Sequence, residues 1–295
     1  MNYVNHDFTA QLERFDCRHG TMLAFTSDNV IGRSLRLYGE WAEHELSVLR
    51  TLIPAGATVV DVGANIGTHT LPFSRWVGSG RVIAIEAQPA VCEVLRLNCA
   101  ENGRHNVEIV NAICAERLGT FAFRADYGDE QNVGGISFAS KRIGLWQKLS
   151  NWLAGIKKNR AGTGIPVVTL DTLCADKPIA FIKLDIEGME LDALRGARET
   201  LSRCHPAIYF EQNSAARLAD TYDYLVARGY RLFWLETHPF NQNNFRRETE
   251  NVWWRTETGI ICVPDGVPPP SSLVEVRRDD PAPPSRLDAR IGTAV

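Results

Sequence analysis

The chain has 295 residues, 44% of them hydrophobic and 23% charged, enough apolar material for one large α/β domain or two small ones. A formal net charge of −3 provides no global attraction to nucleic acid or to an anionic membrane. No apolar run approaches the ~20 residues of a membrane span, and MNYVNHDFTAQLERF lacks the basic-then-apolar pattern of a signal peptide, so a cytoplasmic location is expected.

Residues 1–38 read as an irregular N-terminal extension with a short strand candidate at Met22–Phe25. From Tyr38 to Ile53, the spacing of Trp41, Leu46, Leu49 and Ile53 predicts one amphipathic helix, ended by Pro54-Ala55-Gly56. Strands and helices then alternate: strand 59–62, helix 67–77, strand 81–86, helix 89–102 and strand 107–110. Such alternation predicts parallel strands joined by right-handed crossovers. It breaks at 115–170, where GTFAFRAD and GGISFAS read as short exposed strands around YGDEQNVGG. The basic segment 141–160 follows, with Leu145, Trp146, Leu149, Trp152, Leu153 and Ile156 at helical spacing. It reads as a surface helix, or as a lid over a substrate. IPVVTLDTL (165–173) leads back to the sheet.

Alternation resumes with strand FIKLD (181–185), helix 187–202, strand AIYFE (207–211), helix 215–228, YRLFWLE (230–236) and a return strand GIICVP (259–264). The expected architecture is a seven-stranded, mostly parallel sheet with helices on both faces and an antiparallel edge strand. From Pro264 onward the chain holds seven of its 14 prolines, which predicts a disordered tail over 265–295. The seven cysteines are an odd count without C-x-x-C or zinc-like spacing, as expected for reduced thiols. Cys92 and Cys99, seven apart on one predicted helix, read as packing residues.

The segment VVDVGANIGTHTL (59–71) is the most informative. It is a β-branched strand ending near Asp61, then a turn bracketed by Gly63 and Gly67, then a helix start. Ligands of open α/β sheets bind beyond the carboxyl ends of the strands, so this turn marks the crevice. It lacks the middle glycine of G-x-G-x-x-G, with Asn65 there instead, so a ligand without a pyrophosphate fits better. S-adenosylmethionine (SAM) is such a ligand: its carboxylate suits backbone N–H groups at a helix start, and its cations suit Asp61. Glu86, 25 residues after Asp61 at the end of the next strand, can accept hydrogen bonds from both ribose hydroxyls.

The pattern resembles the FkbM family of SAM-dependent methyltransferases from about Leu35 to Pro264. The resemblance rests on SLRLYGEWAEHEL, VVDVGANIGTHTL, IAIEAQP, VVTLDTL and above all FIKLDIEGMELDALRGA. It implies a class I methyltransferase (Rossmann-like) fold over 39–264, with an insert at 115–170. It also implies O-methylation of a hydroxyl on a saccharide or small natural product. By that resemblance Asp61, Gly63, Asn65, Gly67 and Glu86 line the cofactor, Thr68 and His69 lie near its amino acid end, and Asn111 contacts adenine. Asp126–Asn132 would close over the adenine.

Methyl transfer needs a positioned nucleophile, and a base helps an alcohol by about 10²–10⁴-fold. Asp185 and Glu187 are the leading catalytic candidates; with Glu190 they can equally serve to charge-balance a helix N-terminus. Lys183 reads as a partner for a neighbouring acid. Glu211 is a second candidate for holding or deprotonating the acceptor, and His238 titrates in the useful range. Asp185 with Glu211, Gln212 and Asn213 would offer oxygens to a magnesium ion, which the resemblance does not require. Asn241–Asn244 and Trp253-Trp254 read as sugar-binding amides and indoles or as plain loop and packing residues. No nucleic acid partner is expected, and a homodimer is compatible with the reading. Two other readings stay open: a nucleotide-dependent oxidoreductase on the same fold, and a non-catalytic binding or assembly module.

Overall fold

The computed structural model describes residues 11–121, 164–212, 215–280 and 282–283. The readings placed on 122–163, namely most of the insert hairpin, the basic segment 141–160 and the closure by Asp126–Asn132, lie outside the described residues. Around the central strands the parallel sheet is as expected. Strands β3 (Thr58–Val62), β4 (Arg81–Glu86), β5 (Val107–Asn111), β9 (Ile179–Leu184) and β10 (Ala207–Glu211) pair in parallel, with β3 between β4 and β9. The antiparallel strands β11 (Tyr230–Thr237) and β12 (Glu257–Pro264) complete that side, and the short strands β6 (Ile113–Cys114), β7 (Gly119–Phe121) and β8 (Ile165–Val168) form a separate sheet. The chain leaves β3 in one direction to β4 and returns on its other side as β9, which makes the end of β3 a topological switch point where a crevice opens.

Strand alternation supplies two apolar faces. Val60, Val62, Ile83, Ile85, Ile182, Leu184, Ile208 and Phe210 pack with Leu194, Leu201, Leu218 and Leu225. Val59, Val82, Phe181, Tyr209 and Ile261 pack with Leu46, Leu49, Phe73 and Val77. Both faces are covered, as parallel strands require. Among the described residues no helix is long and apolar enough to cross a membrane. None of the seven cysteines is in a disulfide, and Cys92 and Cys99 are buried packing residues on α4 (Pro89–Glu101).

Five local expectations need correction. The sheet has eight strands, because Val274–Glu275 (β13) pairs with β11. The start of the expected disordered tail is therefore ordered, with Val276 buried behind it. An apolar valine beside an open sheet edge outweighs the proline-rich composition. Beyond residue 11 the N-terminal extension is not irregular either: Leu12–Cys17 (β1) and Gly20–Phe25 (β2), which contains the expected strand at 22–25, form a hairpin. Two α4 asparagines pin it. Asn98 exchanges hydrogen bonds with both backbone groups of Leu23 (2.6 and 3.0 Å), and Asn102 does the same with Thr21 (3.0 and 2.6 Å).

The helix expected over 38–53 is shorter, α2 (Glu43–Leu49) followed by a 3-10 turn at Arg50–Leu52, and a separate helix, α1 (Ile31–Tyr38), precedes it. Gly39, left-handed at φ 68°, caps α1 on Leu35. The helix expected over 187–202 is broken into Glu190–Arg195 and Arg198–Cys204. At the break a Cβ on Gly196 would meet the Ala115 carbonyl at 2.2 Å. Asp171 then caps the second helix, accepting from the Glu199 and Thr200 N–H groups at 3.1 and 2.7 Å.

Candidate active site

A hollow opens where the ends of β3, β4, β9 and β10 meet. Its floor is the glycine turn: Gly63, Asn65 and His69 line it, with Glu86 from β4, Asp185 and Glu187 after β9, and Tyr209 and Glu211 from β10. α2 adds Glu45, and Trp41 stands just before it. The connection from β11 to β12 adds His238, Arg255 and Glu257. A narrower, more apolar extension continues past Glu86 between Ile85, Ala87, Ala112, Ile113, Ile186 and Met189.

Six carboxylates face this space, so its electrostatics favour cations. Glu86 is buried; its two oxygens accept from the Asn65 N–H at 3.0 Å and the Gln88 N–H at 2.8 Å. Burial outweighs those bonds and pushes its carboxyl up to about 7. Asp185 behaves oppositely. Burial would raise its carboxyl, but the Lys183 ammonium and a hydrogen bond shared with Glu211 hold it below the ordinary value. Glu187 sits at a left-handed φ of 49°, a conformation that strains a side-chain-bearing residue. Burial, then repulsion from Asp185, Glu190 and Glu257, raises its carboxyl.

A buried hydrogen-bonded chain forms one wall. Glu45 accepts from Tyr209 Oη at 2.6 Å and pairs with His69 Nε2 at 2.8 Å. The Tyr209 ring occupies the space a side chain at residue 259 would take, since a Cβ on Gly259 would come within 2.2 Å of it. Burial and the Glu45 carboxylate raise the phenol well above its ordinary value, so it stays protonated.

The Methyltransferase FkbM domain matches residues 61–232, more than half of the chain.

The chain belongs to that family.

The FkbM methyltransferase from Methylobacillus flagellatus KT is 19% identical over 70% of this chain, with a TM-score of 0.46; the match spans 44% of that longer chain. A SAM-dependent O-methyltransferase from Thermotoga maritima is 12% identical, covering 87% of this chain and 78% of its own, at a TM-score of 0.46. An O-methyltransferase from Bacillus cereus solved with S-adenosylhomocysteine (SAH) is 15% identical, covering 80% and 87%, at 0.43. No curated protein matches the chain. The strand order β5-β4-β3-β9-β10-β12-β11 is that of a class I methyltransferase sheet, with β13 added at the edge.

In this FkbM-family site several expected cofactor residues stand behind the lining rather than on it. Asp61 is 0% exposed; it accepts from Thr70 Oγ1 at 2.6 Å and lies 3.4 Å from Lys183 Nζ. A fully buried carboxylate needs a partner inside the protein, and Lys183 is that partner. Gly67 and Thr68 are likewise covered. Gly67 has φ 101°, a backbone that side-chain-bearing residues rarely adopt, and a Cβ there would also meet the tip of Leu95 at 2.8 Å. Asn111 does not reach the hollow: its amide donates to the Glu86 and Ala87 carbonyls at 2.8 and 3.1 Å, tying β5 to β4. Ala112 and Ile113, one and two residues on, line it instead.

His238 reaches the hollow but is nearly enclosed. Its Nδ1 meets the Arg255 carbonyl at 3.2 Å and its Nε2 has no partner among the described residues. The sugar reading of the 241–254 region needs correction. Asn241 bonds Glu40, Asn244 bonds Asn241 and Glu248, and buried Trp253 donates to Ser34 Oγ. Asn213, the last member of the magnesium reading, lies outside the described residues. Among the described residues no group of three or more His, Cys, Asp or Glu is disposed to hold a metal ion.

Sequence reasoning missed Glu45, Tyr209, Arg255 and Glu257. One signal was available for Tyr209: it precedes Glu211 by two on the same strand, so both side chains leave the same face. Glu45, an acid beside the apolar positions 46 and 49 of α2, was another.

Proposed function

We propose that the protein is a SAM-dependent O-methyltransferase acting on a hydroxyl of a saccharide or glycosylated natural product. The observation that carries this reading is Glu86, a buried carboxylate at the tip of β4 where the acidic hollow meets its apolar extension. The donor set fits the cofactor. Ile85, Ala87, Ala112, Ile113, Ile186 and Met189 suit a flat base, Glu86 a ribose diol, and the carboxylates beyond it an ammonium and a sulfonium. When bound, SAM supplies an electrophilic methyl group on sulfur.

The chain's own residues do the rest. Asp185 stays ionised beside Lys183; it and Glu211 accept hydrogen bonds from acceptor hydroxyls and fix their direction. Trp41 offers an indole face to a sugar ring on the α2 side. Glu187 and His238 complete the acceptor wall. The acidic lining disfavours nucleic acid and other polyanions as acceptors. The proposed setting is the cytoplasm, with a small-molecule acceptor and no metal requirement.

Calorimetric titration with SAM or SAH tests the cofactor half. Ribose hydroxyls donating to Glu86 favour its ionised form, so binding near pH 7 should release a proton. With a free-protein value of about 7, affinity is expected to be about tenfold weaker at pH 6 than at pH 8. Glu86→Gln should bind more weakly and lose that dependence. The sign for stability follows: the raised carboxyl contributes stability in full below its unfolded value of 4.5, and this is lost as pH rises through about 7. Thermal shift by SAH should grow over that range. Absence of binding at roughly millimolar ligand would overturn the reading.

A further inference from the structure

The proposed reaction requires a proton acceptor for the attacking hydroxyl, and we infer that His69, oriented by Glu45, is that catalytic base. The inference rests on the methyl-transfer reading above. Glu45 is an acceptor for two groups at once, Tyr209 Oη at 2.6 Å and His69 Nε2 at 2.8 Å. A carboxylate cannot donate, so Nε2 carries the hydrogen and the lone pair of neutral His69 is on Nδ1. That nitrogen has no partner among the described residues, and the ring lines the hollow. Phe73 fixes the ring from its other side, in an edge contact with centroids 5.9 Å apart. The carboxylate–imidazole arrangement obeys the logic of catalytic triads: the acid sets tautomer and orientation, and compensates the imidazolium once it forms.

The arrangement is built rather than incidental. Glu45 and His69 lie 24 residues apart, on α2 and at the start of α3 (Thr70–Val77), and both are buried. Tyr209 braces Glu45 from β10, in space left by Gly259. The remaining charged groups facing the hollow suit the role less well. Asp185 is held ionised by Lys183, which makes it a weak base. Glu211 shares a hydrogen bond with Asp185. Glu86 is bound by two backbone N–H groups, and His238 Nε2 is enclosed. Glu257 is tied to Arg255 at 2.7 Å, and Glu187, at a left-handed φ of 49°, is repelled by Asp185, Glu190 and Glu257.

In the step, the acceptor O–H bond breaks and its proton passes to His69 Nδ1. The oxygen forms a bond to the methyl carbon as the carbon–sulfur bond breaks, its electron pair going to sulfur. The products are a methyl ether, neutral SAH and an imidazolium balanced by Glu45; the proton then leaves to water. Glu45 and Tyr209 are positioning residues.

Two readouts test this. Long-range ¹H–¹⁵N correlation spectra of histidine-labelled protein, with and without SAH, report the tautomer and titration of His69. The expected result is the Nε2–H tautomer for neutral His69. Radiolabelled SAM with a panel of methyl glycosides reports turnover. His69→Gln should lose about 10²–10⁴-fold in kcat while SAH affinity stays within about threefold. Glu45→Gln should lose less, because it leaves the imidazole in place and removes the charge behind it. An Nδ1–H tautomer, or His69→Gln turnover within about tenfold of wild type, overturns the base assignment alone. Failure of the wild-type protein to bind SAH overturns the methyl-transfer reading and this inference with it. The spectra decide even where no glycoside in the panel is methylated.

Discussion

Lys183→Met is expected to destabilise the protein by about 3–5 kcal/mol, measured by urea unfolding near neutral pH. Lys183 is buried inside β9, 3.4 Å from Asp61 and 3.3 Å from Asp185, and it also donates to the Gly63 carbonyl at 3.4 Å. Burial alone would drive the ammonium to neutrality, but Asp185, Asp61 and Glu45 raise it above its ordinary value, so the charge is retained. Methionine keeps the length and removes the charge. Asp61 would then be a fully buried carboxylate with the Thr70 hydroxyl as its remaining partner. Desolvation of an unpaired ion dominates the cost, not the loss of one attraction.

The pH dependence separates that cause from poor packing. In the wild-type protein the lowered Asp185 carboxyl contributes stability that is present above its unfolded value of 3.8 and lost as pH falls through its folded value. The variant has no such contribution, so its deficit should shrink as pH falls below about 4. A second change, Asp61→Leu in the Lys183→Met background, should recover part of the loss, since an apolar pair can replace a buried ion pair. A deficit under about 1 kcal/mol, or one that does not vary with pH, would show that Lys183 does not hold these acids.

Gly63→Ala is expected to cost at least about 3 kcal/mol and to abolish ligand binding in whatever folds. Two terms add. Gly63 has φ 77°, where a Cβ costs about 1–2 kcal/mol. Its Cβ would also stand 1.8 Å from the backbone oxygen of Asp185. No rotamer relieves an overlap between Cβ and main chain. The ends of β3 and β9 would have to separate, breaking the Asp185 N–H bond to the Val62 carbonyl at 3.0 Å. That movement would carry Asp185 and Glu187 away from Glu86. Gly67→Ala should be milder, because its nearest obstacle is the flexible tip of Leu95 at 2.8 Å. Thermal unfolding of both variants, with SAH titration of whatever folds, checks the order. Equal effects would mean that strain, not the Asp185 contact, governs the turn.

This contact also revises the meaning of the glycine turn. Read as sequence, Gly63 and Gly67 bare the backbone for a ligand. In the fold each also makes room for the protein itself, Gly63 for the end of β9 and Gly67 for α4, and of the two only Gly63 lines the hollow, with Asn65 and His69. Asp61 follows the same pattern. A strand-end acid after β-branched residues marks the right place in the sheet, but only the packing of β9 beside β3 reveals that Lys183 has taken it.

Periodicity determined the order of strands and helices over 58–111 and 179–264, because alternation and helical spacing are local properties of the chain. Local chemistry at strand ends also determined Glu86, Asp185, Glu187 and Glu211 as residues that meet. The tertiary structure decided what local pattern cannot carry. It made the N-terminal hairpin a layer on α4 through Asn98 and Asn102, and it recruited Val274–Glu275 as an eighth strand. It also joined Glu45, His69 and Tyr209, spread over 164 residues, into one buried chain. Hydrogen bonds between distant segments leave no periodic trace. Their partners are chosen by which buried polar groups the fold strips of water and sets within reach of each other.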